Sequence, residues 1–137
     1  MPFRTHLLVV ANQTVGSDEL VAHLRDRARS GPLRVTLVVP AEPEQRDAAQ
    51  QRLEDACVRL SEQEGIEVRG GLSEDADPLH AAMDAYDPAR HDEIVVVTLP
   101  AHLSRWLGCD VPQRVARATG ALVRVVETRE APVALHR

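Results

Sequence analysis

Three consecutive polar residues, Asn12, Gln13 and Thr14, directly follow a short apolar segment. Their amide and hydroxyl groups could form hydrogen bonds to a small ligand. The alternative is that they satisfy the backbone of their own loop, as Asn and Thr often do in turns. Asn12 is the only asparagine in the chain.

A second polar group, Ser104, Arg105 and Trp106, combines a hydroxyl, a guanidinium and the only tryptophan. These side chains could face the same ligand, and Arg105 could close the site by pairing with Asp110. The alternative is that Trp106 packs beneath its loop while the head of Arg105 stays in solvent. What the loop packs against decides between the two interpretations.

No arrangement of residues is typical of catalysis. The six histidines show no HExxH spacing, and no serine lies in a GxSxG motif. All 16 residues counted as Lys or Arg are arginine, which excludes lysine Schiff-base chemistry and P-loop phosphate binding. A Cys-His pair of Cys109 and His102, with Asp110 beside it, is the remaining nucleophile hypothesis. We expect neither a catalytic nor a metal site.

The two cysteines, Cys57 and Cys109, lie far apart and outside any CxxC motif, so neither a zinc site nor a redox pair is indicated. We expect both to be buried thiols in a reducing compartment. The apolar run from Leu7 to Ala11 is too short for a signal peptide or a membrane span. A cytoplasmic protein without a membrane partner is therefore expected.

Charge and aromatic content argue against a nucleic-acid partner. The net charge is −5, and the arginines are scattered along the chain. A duplex-binding surface needs a basic stripe, and single-strand binding needs a platform of aromatic side chains. The chain has only Phe3, Tyr86 and Trp106. We expect no binding to nucleic acid.

Five short segments have the length and composition of β-strands. They are residues 6–11, 33–39, 66–69, 93–98 and 122–126. Two of them, the first and the fourth, are almost entirely apolar, which is typical of strands covered on both faces. The third alternates between apolar and charged residues and is typical of an edge strand.

Between these segments, apolar residues recur at helical spacing. Ser17 and Asp77 stand where N-caps are expected, and Asp77 precedes a proline. Gly31, Gly65 and Gly120 follow three of the helical segments, as glycines at helix ends commonly do. The pattern predicts helices between all five strands.

The resulting βαβαβαβαβ order predicts an α/β fold, a three-layer α/β/α sandwich with a five-stranded parallel sheet. An edge-like third strand fits the order 3-2-1-4-5. Ligands bind such sheets where the strand order reverses, so loops 12–17 and 99–110 are predicted to meet. The 137 residues suit one domain, with a core over residues 5–126 and a surface tail at 127–137.

Segments along nearly the whole chain resemble the universal stress protein family. They are Leu7–Asn12 followed by a helix, Asp77–Ala82, His91–Thr98, Val111–Ala116 and Leu122–Val126. The resemblance implies the adenine nucleotide alpha hydrolase-like fold. For the members that bind ATP, it implies a nucleotide site at the carboxyl ends of the strands.

In those members an Asp at the end of the first strand meets the nucleotide. The position of this chain that resembles it is Asn12, whose side chain can still form hydrogen bonds but carries no charge. The resemblance also implies that the backbone at the end of the second strand, at Val39, contacts the base. Gln13 and Thr14 complete this side of the candidate cleft.

After the fourth strand, the nucleotide binders carry a Gly-xx-Gly motif whose N–H groups cradle phosphates. Here the matching stretch begins at Thr98 and ends at Ala101, so both glycines are replaced. Pro100, between them, lacks an N–H group. The resemblance therefore implies a weakened phosphate grip.

A later Gly-Ser/Thr pair of the family is matched by Cys109 and Asp110, or, after a shift of one residue, by Gly108 and Cys109. The first alignment places the Asp110 carboxylate where a phosphate would lie. Two like charges a few Å apart repel each other. This loop also argues against the usual phosphate grip.

The resemblance implies a cytoplasmic stress-response or signalling module that is not an enzyme and whose ATP site is degenerate. The alternative is an adenine-nucleotide-binding sensor, with ATP or AMP as the ligand. Nucleotide hydrolysis is a third hypothesis. The candidate cleft residues are Asn12, Gln13, Thr14, Val39, Thr98, Pro100 and Ser104.

Members of the family often dimerise through their last strand. Residues 122–126 would form an apolar outer strand that needs a cover. We expect a homodimer formed through this strand and, for the signalling role, a protein partner that the sequence does not identify.

Overall fold

The computed structural model describes residues 4–100 and 104–129. Its strands are β1 (Thr5–Val10), β2 (Leu33–Pro40), β3 (Ile66–Ser73), β4 (Glu93–Thr98) and β5 (Val123–Glu127). Its helices are α1 (Asp18–Ala28), α2 (Arg46–Ser61), α3 (Pro78–Ala85), α4 (Arg105–Gly108) and α5 (Val111–Thr119), with a 3₁₀ turn at Pro43–Gln45.

The five strands form one parallel sheet in the order β3-β2-β1-β4-β5. β1 lies in the middle, with Val9 opposite Leu37 of β2 and Val95 of β4. The predicted fold class and strand order are confirmed. β3 is an edge strand as expected, although it runs four residues beyond the predicted end at Arg69.

Alternate residues of β1 enter two separate cores, as the two-residue period of a strand requires. Leu7 and Val9 pack with residues of α1 and α2 on one face of the sheet. Leu8 and Val10 pack with residues of α3 and α5 on the other. Burying each of these side chains contributes about 1.5–3 kcal/mol, which explains why β1 is apolar throughout.

The predicted helix ends are confirmed by their capping bonds. The Ser17 hydroxyl accepts the Leu20 N–H at 3.2 Å, and the Asp77 carboxylate accepts the Leu79 N–H at 3.0 Å. Gly120 closes α5 at φ 73°, a left-handed conformation that glycine adopts without strain. These caps define the starts of α1 and α3 and the end of α5.

The expectation of two buried thiols is wrong. Cys57 is half-buried and Cys109 is exposed. Cys109 caps the short helix α4, where its N–H donates to the Arg105 carbonyl at 2.9 Å. Cys109 itself belongs to neither core, so its thiol remains in solvent.

The last strand extends beyond its predicted end. Glu127 belongs to β5, and Thr128 is only 4% exposed, with its N–H donating to the Thr98 carbonyl at 2.9 Å. The rest of the expected surface tail, from residue 130, lies outside the described residues. None of the helices in the described ranges has both the length and the apolar composition needed to cross a membrane.

The first residue of β4, Glu93, is a buried carboxylate between two arginines. It accepts hydrogen bonds from Arg27 Nη1 and Nη2 at 2.8 and 3.1 Å and from Arg124 Nε at 3.0 Å. Burial acts to raise the pKa of Glu93, but the hydrogen bonds and charges of both arginines outweigh burial and hold this pKa below its ordinary value. Glu93 is thus a buried, charged group at the start of a central strand.

Glu93→Gln is expected to lower the free energy of unfolding by about 2–4 kcal/mol at neutral pH, because it leaves the partly buried Arg27 and the more exposed Arg124 without the buried carboxylate that pairs with both. The contribution of the carboxylate is complete above the ordinary pKa of 4.5 and is lost as pH falls through the lowered value. Urea unfolding from pH 7 to pH 3 should therefore show that the difference in free energy of unfolding between the wild type and Glu93→Gln becomes smaller in acid.

Glu67→Gln is the matched control. Glu67 also contacts two arginines, Arg4 and Arg34, but its side chain is 56% exposed, so its loss should change stability far less than the loss of Glu93. Equal losses in both variants, or a Glu93 effect that does not vary with pH, would contradict a buried ion-pair network.

Candidate ligand-binding site

A cavity of about 210 Å³ lies at the carboxyl ends of β1 and β4, where the strand order reverses. The loops that follow these strands lead to helices on opposite faces of the sheet, which leaves a crevice between them. We call this space the switch-point cavity. Its described lining residues are Asn12, Gln13, Thr14, Val97, Thr98, Leu99, Ser104, Arg105 and Trp106.

The two loops predicted to meet do meet. Five of the seven candidate residues line the cavity, namely Asn12, Gln13, Thr14, Thr98 and Ser104. The other two, Val39 and Pro100, are buried and are not among its lining residues. A ligand-binding role stays a prediction for all seven.

Asn12 is held by an arginine that the sequence did not indicate. Its Oδ1 accepts a hydrogen bond from Arg52 Nη2 at 3.0 Å, so α2 is tied to the end of β1. Arg52 Nε is buried without a partner among the described residues, and burial lowers the pKa of Arg52. No carboxylate in the described ranges forms an ion pair with Arg52.

Two buried threonines face the crevice, and only one has a hydrogen-bond partner. Thr14 Oγ1 donates to the Val97 carbonyl at 3.0 Å and so joins the loop after β1 to β4. Thr98 is 2% exposed, and its hydroxyl has no partner within the described part of the chain. An unpaired buried hydroxyl is unfavourable, so a ligand that forms a hydrogen bond to Thr98 would remove an unfavourable state.

The segment from Ser104 to Trp106 forms the opposite wall. The Ser104 hydroxyl accepts the Leu107 N–H at 3.1 Å and caps α4. Trp106 is half-buried and packs against the α3–α5 core, whereas Arg105 is exposed. This agrees with the packing interpretation, but Ser104, Arg105 and Trp106 all line the cavity, so a ligand-facing role stays a prediction.

The prediction that Arg105 could form an ion pair with Asp110 is wrong. Asp110 begins α5 in a left-handed conformation at φ 58°, and its carboxylate lies 3.6 Å from Arg117 Nη2, two turns along the same helix. Asp110 is exposed and is not among the cavity-lining residues. The predicted repulsion of a phosphate by this carboxylate is therefore not supported.

Two other predictions for this loop concern residues outside the described ranges. They are the replacement of a cradle glycine by Ala101 and the pairing of His102 with Cys109. No grouping of three or more His, Cys, Asp or Glu side chains in the described ranges is placed to hold a metal ion. The polar groups among the described lining residues include amides, hydroxyls and one guanidinium, which suit hydrogen bonding to a small ligand. At 210 Å³, the cavity is smaller than the roughly 300–1,000 Å³ of typical ligand pockets.

Thr98→Val is expected to leave the free energy of unfolding unchanged or raise it by up to about 1 kcal/mol, because valine removes an unpaired hydroxyl without changing the side-chain volume. Thr14→Val, the matched control at the same crevice, removes a made hydrogen bond and should lower stability by about 1–2 kcal/mol. Urea unfolding measures both. If Thr98→Val destabilises as much as Thr14→Val, the Thr98 hydroxyl has a partner.

Neither a protein-family model nor a curated protein sequence matches the chain. Its structure is similar to that of a universal stress protein from Archaeoglobus fulgidus, at 19% identity and a TM-score of 0.60 over 89% of this chain and 93% of that one. The complex of the universal stress protein from Archaeoglobus fulgidus with dAMP gives 17% identity and a TM-score of 0.61, covering 92% and 99%.

A universal stress protein in complex with cAMP is also similar, at 23% identity and a TM-score of 0.53, covering 90% of this chain and 98% of that one. At these identities the similarities establish the fold, and the predicted fold is confirmed. The chain has the fold of the universal stress proteins.

Proposed function

We propose that this chain is a universal-stress-protein-like module that acts in stress response or signalling through protein contact, without catalysis and with a degenerate nucleotide site. The observation that carries the proposal is the wall of the switch-point cavity. Thr98 lines it where the family resemblance calls for the first glycine of a phosphate cradle, and the buried Pro100 that follows has no N–H to donate. The cavity is also small.

A second candidate function is an adenine-nucleotide sensor. The unpartnered Thr98 hydroxyl on the cavity wall favours it, since a ligand that hydrogen-bonds to this group would remove an unfavourable buried state. The structures of similar fold in complex with dAMP and with cAMP add support, although both are other proteins. Among the described lining residues there is no carboxylate, histidine or lysine to serve as a base, so hydrolysis has less support.

The deciding measurement is analysis of small molecules released by denaturing freshly purified protein, followed by calorimetric titration with ATP, ADP, AMP and adenosine. A degenerate site should release no nucleotide and give no saturable heat. Saturable binding that Asn12→Ala weakens roughly tenfold or more would replace this proposal with the sensor, because Asn12 forms part of the cavity wall.

Gln113→Ala is the control for that titration, because Gln113 is exposed on α5 and does not line the cavity. If Asn12→Ala and Gln113→Ala weaken binding equally, the bound nucleotide lies elsewhere and the sensor proposal fails. A reducing cytoplasmic location is part of the same proposal and is supported by the two free thiols.

We also propose that the chain forms a homodimer through β5. β5 is an edge strand with one side unpaired in the sheet. Leu122, directly before β5, and Val125, within it, are 58% and 46% exposed, so two large apolar side chains meet solvent at this edge of the sheet. A second copy that packs along β5 would cover both residues, and a protein partner could compete for the same edge.

Val125→Glu is expected to convert the dimer into a monomer, because it places a charge on the strand edge that the second copy covers. Size-exclusion chromatography with light scattering measures the mass. Val58→Glu on α2, where Val58 is 59% exposed, is the control and should leave the mass unchanged. A monomeric wild type, or dissociation by both variants, would refute pairing through β5.

A further inference from the structure

A second and larger cleft, of about 900 Å³, lies between α1 and α2 on the other side of the loop after β1. Gln13 and Thr14 line both this cleft and the switch-point cavity. Its walls include the start of α1, the α2 residues Arg52 and Arg59, and Thr128 after β5. We call it the α1–α2 cleft.

Arg52 brings a positive charge into this cleft without a carboxylate to balance it. Its only described side-chain partner is the neutral oxygen of Asn12, at 3.0 Å. Its Nε is buried without a partner. Burial lowers the pKa of Arg52, but a guanidinium remains charged at physiological pH, so the charge stays uncompensated and unfavourable.

A second buried polar group without a partner lines the same cleft. Thr128 is 4% exposed, and its hydroxyl has no hydrogen-bond partner among the described residues. Its backbone N–H is fixed to the Thr98 carbonyl at 2.9 Å, so the residue is held at the end of the sheet. A free guanidinium and a free hydroxyl around one cleft are what an oxyanion requires.

Most of the other charged groups of the cleft have partners; the exposed guanidinium of Arg129, which also lines the cleft, forms no ion pair within the described residues. Arg59 donates to the Asp18 carboxylate and to the Gly16 carbonyl. Glu19 accepts the Arg129 N–H at 3.2 Å.

Asp55, the remaining carboxylate of the lining, is exposed and accepts a hydrogen bond from Gln51 at 3.0 Å. Together with Asp18 and Glu19, it keeps negative charge in the cleft wall. A polyanion would be repelled by three carboxylates, whereas a group with one or two charges can approach Arg52.

We propose that the α1–α2 cleft binds a small oxyanion, the carboxylate or phosphate-monoester group of an organic ligand, through Arg52 with Thr128 as a second hydrogen-bonding group. The anion satisfies the guanidinium charge and the free hydroxyl together. This site is separate from the switch-point cavity and does not depend on nucleotide binding there. Adenosine, which carries no anion, should not compete for it.

The test is a titration of isotopically labelled full-length protein with inorganic phosphate and, separately, with acetate, at constant ionic strength, followed by ¹H–¹⁵N spectra. The Nε–H signal of Arg52, identified by its loss in Arg52→Gln, and the amide signal of Thr128 should shift saturably. A response to phosphate alone indicates a phosphate monoester, and a response to acetate alone indicates a carboxylate. Linear drift with both probes would overturn the proposal.

Two variants separate the site from general charge effects. Arg52→Gln should weaken binding roughly tenfold or more, because it removes the charge-assisted contact. Arg59→Gln removes the same charge from the same helix and cleft, and binding should persist because Arg59 is engaged with Asp18. Equal loss in both variants would show non-specific attraction and refute the site.

Thr128→Val covers the case in which Arg52→Gln does not fold, which circular dichroism would detect. This variant keeps the charge and removes only the hydroxyl, so it should weaken binding several-fold. An unchanged affinity in Thr128→Val would refute the role of the hydroxyl. If the anion titration fails, the nucleotide titration is unaffected, and the two proposals stand or fall separately.

Discussion

The reversal of strand order at β1 determines the rest of the structure. β2 and β3 are added on one side of β1, whereas β4 and β5 are added on the other. Because crossover connections between parallel strands are right-handed, α1 and α2 cover one face and α3 and α5 cover the opposite face. The loops after β1 and β4 therefore lead to helices on opposite faces of the sheet, and the crevice that both loops line is a consequence of the topology.

Burial on both faces makes β1 and β4 apolar, so polar groups collect where these strands end. Several of these groups hold the loops together: Thr14 bonds to the Val97 carbonyl, and the Thr128 N–H bonds to the Thr98 carbonyl. Among the described residues, the Thr98 and Thr128 hydroxyls have no partner. Each unpaired buried group is unfavourable by about 1–3 kcal/mol, and both lie beside a cavity or cleft.

The strands, their order and the helix caps were predictable because their signals are local. Apolar runs, the prolines and residues such as Ser17 act within a few positions of the chain. Contacts between distant side chains have no such signal. Arg52 and Asn12 lie 40 residues apart. The sequence around Glu93 does not distinguish it from any other acidic residue at the start of a strand. Asp110 pairs with Arg117 and has a left-handed backbone conformation, which its sequence does not indicate.

The residue at position 12 links the two cavities. A carboxylate there, as in the nucleotide binders that the sequence resembles, would form an ion pair with Arg52 and neutralise it. Asn12 offers only a neutral oxygen at 3.0 Å, so the guanidinium keeps its charge. The Arg52 guanidinium therefore stays without a compensating carboxylate beside the α1–α2 cleft, and this charge is what the proposed oxyanion would meet.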